Sequence, residues 1–173
     1  MFAEDSPNPP GPPARSHATR YGLCVAGMRL AFPAGELLEF LPDAPIHRLP
    51  LAPSRLVGLV QFRGHPVAVF DFGDTPAPQP GERRPVLVVG EPSRAAALMV
   101  DDAPRVLVID EGPAADARPC RNLSRSLERV LGPALRDTDG MTWWPVEPAR
   151  LFELLAREGE PAHGADAEGM RER

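Results

Sequence analysis

Cysteine is scarce in this chain. Cys24 and Cys120 are the two present in 173 residues, and they share no CxxC spacing, so neither a disulfide framework nor a zinc ribbon is expected. Long apolar runs are missing as well. No stretch approaches the roughly 20 residues that span a bilayer, and the N-terminus lacks the charged-then-apolar order of a signal segment. The cytoplasm is therefore the expected compartment, without direct membrane insertion. Basic charge is in deficit: 19 Lys and Arg against 24 Asp and Glu leave a formal net charge of -5, the wrong sign for a nucleic-acid surface. Histidine is confined to His17, His47, His65 and His163, at no metal-holding spacing. Asp101-Asp102, without further oxygen ligands, makes a poor cation cage. There is no Gly-x-Ser-x-Gly elbow and no phosphate-cradling loop. No metal and no cofactor is implied.

Proline is abundant. Of 23 prolines, Pro7, Pro9, Pro10, Pro12 and Pro13 crowd the start of the chain. Such a segment cannot donate a regular hydrogen-bond ladder and has little apolar surface to bury. Residues 1–18 are expected to be a disordered, solvated arm with polyproline character. Residues 158–173 hold no periodic apolar residue and are expected to be a second tail. Between them, residues 19–157 make one modest domain, and 43% hydrophobic composition suits a folded core.

The elements inside that domain are short. Strands are expected at Tyr21–Ala26, Met28–Phe32, Val86–Val89, Ala95–Val100, Arg105–Ile109 and Met141–Val146, with an extended piece at Ile46–Leu49. Leu37, Leu38 and Leu41 stand at helical spacing, so Glu36–Leu41 is expected to form a helical turn, and Ala52–Val57 another. Thr75–Pro85 reads as a Pro-rich loop. Ser124–Leu131 puts Leu123, Leu127, Val130 and Leu131 on one face of a short helix capped by Ser124. Asp137-Thr138-Asp139-Gly140 is a hairpin turn. Pro148–Arg157 is a terminal helix with Leu151, Phe152, Leu154 and Leu155 turned inward. Trp143 and Trp144 point to opposite faces of their strand, one of them into the core. Many short strands punctuated by Gly and Pro favour small β-barrels over a parallel α/β sheet.

The densest pattern runs from Pro53 to Phe72. Two apolar runs flank Arg63-Gly64; Gly58 opens the first and Asp71 closes the second. Gly64 permits the backbone angles of a tight turn, so the runs read as an antiparallel hairpin. This stretch resembles the central signature of CheW-like chemotaxis adaptors, with Ala68 where the family has its late Pro. The resemblance extends over about Tyr21 to Leu155. Leu37-Leu38-Glu39-Phe40 fits the family's hydrophobic-x-Glu-hydrophobic motif, and Ala95–Ala103 fits its later strand and turn with Ala for Gly. Met141–Leu151 fits its closing strand and helix, where the Trp pair, Pro145 and Glu147 are departures.

The resemblance implies a mainly β fold of two intertwined five-stranded SH3-like β-barrels with short helices and a C-terminal helix. It implies a non-catalytic adaptor that couples chemoreceptor cytoplasmic hairpin tips to the regulatory domain of a chemotaxis-type histidine kinase at membrane-associated arrays. It also implies that Glu39 and Arg63 form an ion pair beside a receptor groove, to which Leu37, Val86 and Val106 contribute. Gly58, Gly64, Asp71 and Asp101 read as structural turn residues. Polar loops near Asp43-Ala44-Pro45, Gly73-Asp74 and Asp101-Asp102 would rim an interface. Two alternatives stay open: an adaptor of a type IV pilus (twitching) or other chemosensory pathway, and a small enzyme using Asp71, Asp101 or His65.

Overall fold

A computed structural model describes residues 18–72, 79, 82–113 and 125–158. In chain order the elements are β1 (Ala18–Val25), β2 (Met28–Pro33), β3 (Leu38–Pro45), β4 (Leu56–Phe62), β5 (His65–Phe70), β6 (Arg83–Val89), β7 (Ala96–Met99) and β8 (Arg105–Pro113). Then come α1 (Arg125–Val130), β9 (Leu135–Asp137), β10 (Thr142–Pro145) and α2 (Pro148–Glu158). The first sheet is a closed barrel in the order β1-β2-β10-β9-β8; the second has the order β3-β6-β7-β5-β4. The mainly β, two-barrel architecture expected from the sequence is present.

The two sheets repeat one pairing scheme. Each holds a tight hairpin, β1–β2 or β4–β5, whose second strand pairs in parallel with β10 or β7. Antiparallel pairs then lead through β9 to β8, or through β6 to β3. In the first barrel β8 closes on β1. In the second, an isolated bridge between His47 and Leu59 ties the chain beyond β3 to β4, with both N–H···O bonds at 2.8 Å. The equivalent of β3 in the first barrel is thus β8, which arrives only after the second barrel is finished. That is the sense in which the barrels are intertwined.

Both hairpins turn on two residues with positive φ, Ala26-Gly27 (49° and 75°) and Arg63-Gly64 (47° and 84°). This turn matches the right-handed twist of the strands it joins. The Asp101 carboxylate, just beyond β7, accepts the N–H groups of Ala26 and Gly27 at 3.1 and 2.8 Å, so the second sheet holds the turn of the first.

The largest core cluster belongs to neither barrel alone. It joins Leu23, Leu30 and Phe32 to Phe70, Leu87 and Leu98, and Leu127, Leu151 and Leu155 of the helices complete it. A second cluster, including Val60, Val67, Val86 and Val88, fills the second sheet. Trp143 fills the first barrel with Ala31, Leu107 and Ile109; a Cβ at Gly22 would stand 2.8 Å from its ring. Trp144 is half-buried against the shared cluster.

Three local expectations are corrected. Glu36–Leu41 is not a helical turn: β3 starts at Leu38 and pairs with β6 from Leu38↔Val89 to Leu41↔Val86. Ala52–Val57 is not helical either; a turn at Ser54-Arg55 leads into β4 at Leu56. The Thr75–Pro85 loop ends early, because β6 already begins at Arg83. The expected N-terminal arm but for Ala18, the tail beyond Glu158, Gly73-Asp74, Cys120, Leu123 and the Ser124 cap lie outside the described residues.

Candidate functional site

Glu39 lies in β3 opposite Val88 of β6. Arg63 sits at the tip of the β4–β5 hairpin, and its Nη2 donates to Glu39 Oε2 at 2.5 Å. The side chains are 64% and 40% exposed, so the pair contributes at most about 0–1 kcal/mol to stability. What it does is orient. The Arg63 guanidinium also lies over the Phe62 ring, 5.1 Å from its centroid, a cation–π contact that holds it from a second side. Arg63 adopts this position at φ 47°, a conformation disfavoured by about 1–2 kcal/mol for a residue with a Cβ. The hairpin therefore presents a charged group at a position where Gly or Asn would fit with less strain.

Beside the pair is a cavity of about 130 Å³, lined by Leu37, Leu38, Glu39, Phe62, Arg63, Val88, Gly90, Glu91 and Pro92. Gly90 N–H donates to Leu37 C=O at 2.9 Å and fixes one rim. Small-molecule pockets run to about 300–1,000 Å³, and this one is small beside them. A dry cavity of about 150 Å³ holds one benzene-sized group. The site suits a single apolar side chain presented by a partner, with charged groups at its edge.

The residues expected in the groove are distributed unevenly. Leu37 is at the cavity rim and exposed. Val86 is corrected: it is fully buried in the second core cluster and offers no surface to a partner. Val88, two residues along the same face of β6, lines the cavity instead. The unbroken apolar run Val86–Val89 was the available signal, since such a run marks a strand covered on both faces. Val106 is exposed on β8 of the other barrel and is not among the cavity-lining residues.

Gly58 allows a close approach. A Cβ there would lie 2.4 Å from the His47 carbonyl oxygen, the acceptor that ties β4 to the chain beyond β3. Asp71 is buried, and its N–H donates to Arg55 C=O at 2.9 Å. His65 is exposed at the start of β5, whereas Asp71 follows its end, so these two candidate acid–base groups are not brought together. Asp101 is committed to the β1–β2 turn. Ala44 is buried, so Asp43-Ala44-Pro45 is not a fully exposed loop; Asp43 pairs with Arg83 at 2.9 Å. Among the described residues no three His, Cys, Asp or Glu side chains gather as a metal site would require, and no helix is long and apolar enough to cross a membrane.

One polar cluster escaped the sequence reading. Asp137, taken there only as a turn former, is buried, and its carboxylate accepts from Asp139 N–H, Met141 N–H and Trp143 Nε1–H at 3.0, 2.7 and 2.7 Å. It joins the β9–β10 turn to the ring that fills the barrel.

A family model for the CheW-like domain matches residues 22–155. A sequence comparison with curated proteins finds no match. Among solved structures, the scaffolding protein TtCheW from Thermoanaerobacter tengcongensis superposes with a TM-score of 0.58 at 20% identity, covering 83% of this chain and 97% of that one. At that identity the likeness speaks for the fold.

Proposed function

Because the chain belongs to the CheW-like domain family, whose members are scaffolding proteins and in general non-catalytic, we propose that it is an adaptor coupling chemoreceptor cytoplasmic hairpin tips to a chemotaxis-type histidine kinase. The observation that carries this reading is the small cavity of mixed polar and apolar lining with the Glu39–Arg63 pair at its edge. A helix in a groove is read through a few apolar anchors, and a cavity of one side chain's size beside an oriented ion pair fits one such anchor and its polar neighbour. Leu37, Glu39 and Arg63 are the receptor contacts in this reading, with Val106 on a separate surface of the first barrel. The regulatory domain of the kinase takes exposed loops and barrel edges, and the complex sits at membrane-associated arrays on the cytoplasmic side.

Arg63→Ala tests the assignment. It removes the ion pair and the cation–π contact while leaving the core untouched. Binding to a receptor hairpin should fall about tenfold, with the melting temperature within a few degrees of wild type, since truncating a polar interface anchor costs on the order of 1–2 kcal/mol. Unchanged affinity together with a large loss of stability would place Arg63 in a structural role and remove the cavity from the receptor surface.

A further inference from the structure

Leu107 and Ile109 of β8 point into the first barrel, beside Trp143. Side chains alternate along a strand, so Val106 and Val108 point outward, and they are 64% and 40% exposed. Their register partners on β1 are Tyr21 and Thr19, and partners across an antiparallel pair share a face. Thr19 is exposed, and Tyr21 is half-buried against the shared core cluster. These four side chains make an uncharged patch on the outside of the barrel, continuous with the shared core at Tyr21. The other exposed large apolar side chains among the described residues, Leu37, Leu49 and Leu51, lie outside the strands.

The position of the patch points to what covers it. β1 begins at Ala18, whose register partner is Ile109, one residue beyond Val108. Residues 1–17 therefore join the domain at one end of the patch. β1 has β2 on one side and β8 on the other, so the patch offers a face and no free strand edge. An occupant has to lie across it without a hydrogen-bond ladder. A Pro-rich segment is suited to that, because it lacks ladder donors and takes an extended polyproline form that packs on apolar and aromatic surfaces. Ser6–Ala14 holds five prolines and no charged residue, which matches the uncharged patch, and Tyr21 supplies a ring. At roughly 3.1 Å per residue Ser6–Ala14 spans about 25 Å, whereas Val106 to Val108 covers about 7 Å at roughly 3.3 Å per residue. Arg15-Ser16-His17 remain to reverse the chain. A short tether raises the effective concentration to the millimolar range, so a weak contact within one copy is populated.

We propose that the Pro-rich segment Ser6–Ala14 folds back across β8 of its own copy and covers Val106 and Val108. Any partner of this outer face then competes with the chain's own N-terminus. The inference does not rest on the receptor reading, whose contacts Leu37, Glu39 and Arg63 belong to the second sheet and its rim.

Paramagnetic broadening in the full chain tests it. A nitroxide is attached at Ser6→Cys in a Cys24→Ser, Cys120→Ser background, and backbone amide intensities are compared with those of the reduced label. Phe32 is the control, since it flanks Tyr21 on the side opposite Val106 and lies at a matched separation from Ala18. A label that is merely tethered broadens Val106 and Phe32 alike. Docking should broaden Val106 several-fold more than Phe32. Val106→Ser with Val108→Ser, both at exposed positions, should leave the melting temperature unchanged and bring position 106 down to the level of Phe32. Equal broadening of Val106 and Phe32 in the parent chain overturns the proposal and leaves the patch to another molecule. An excess at position 106 that survives the double substitution overturns it as well. Mixing a spin-labelled chain with an isotope-labelled chain that carries no nitroxide should broaden nothing; broadening of Val106 there would make a second copy's arm the occupant and overturn the contact within one copy.

Discussion

Arg63 occupies a left-handed backbone position that Asn tolerates better, and the compensation for the strain comes from Glu39 on β3 and from the adjacent Phe62 ring. Arg63→Asn should therefore raise the melting temperature by about 1–3 °C, the strain relieved outweighing an exposed ion pair, while weakening receptor-hairpin binding. A lower melting temperature would show that the pair contributes more than its exposure allows. Cys24 gives a second residue-scale expectation. Burial first, and the neighbouring Asp102 second, push its thiol above the usual range, with Arg105 opposing. The thiolate is the reactive form, and a raised pKa lowers its fraction at any fixed pH below that value. In a Cys120→Ser background, alkylation of Cys24 at mildly alkaline pH should be slower than that of an unstructured thiol, and its pH profile should lie to higher pH. A profile at or below the ordinary thiol range would contradict the assignment.

The hairpin β4–β5 was legible in the sequence because its information is local: apolar runs of strand length and Gly64 between them. Strand β3 was not. Leu37, Leu38 and Leu41 satisfy helical spacing, and nothing nearby opposes it. The deciding partner, β6, pairs with its Leu38–Leu41 stretch from Val86–Val89, far downstream in the chain, and tertiary pairing overrides local propensity. Val86 was misplaced for a different reason: it was carried over from the family resemblance, whereas the unbroken apolar run Val86–Val89 marks a strand covered on both faces. Asp137 was legible as a turn former, but its bond to Trp143 depends on the barrel closing around the ring. Asp137→Ala would leave buried donors unpaired, including the indole N–H, and should cost about 2–4 kcal/mol. Asp137→Asn, which keeps an acceptor, should cost less. Chemical denaturation of both variants checks this, and equal losses would mean that the hydrogen bonds are not what matters.

At the scale of the whole molecule, the barrels are better described as sharing material than as touching. The chain leaves the first barrel after β2, builds the second from β3 to β7, and returns with β8 to close the first. Residues of both line the largest core cluster, and α2 seals it: Leu151 and Leu155 are fully buried, and the Phe152 ring lies 5.9 Å from that of Phe70. Arg55, at the entrance to β4, donates to Phe72 C=O at 3.2 Å and lies 3.7 Å from the Glu158 carboxylate at the end of α2. Separating the barrels would expose Leu23, Phe32, Leu87 and Leu98 together, at roughly 1.5–3 kcal/mol for each large apolar side chain returned to water. A state with one barrel folded and the other open is therefore disfavoured by several such increments. Calorimetry should show a single transition with the van't Hoff enthalpy equal to the calorimetric one. Leu151→Ala should lower that transition as a unit, by about 2–5 kcal/mol in stability. If two resolved transitions appeared instead, with only one moved by the substitution, the barrels would be independent domains and the shared cluster would not couple them.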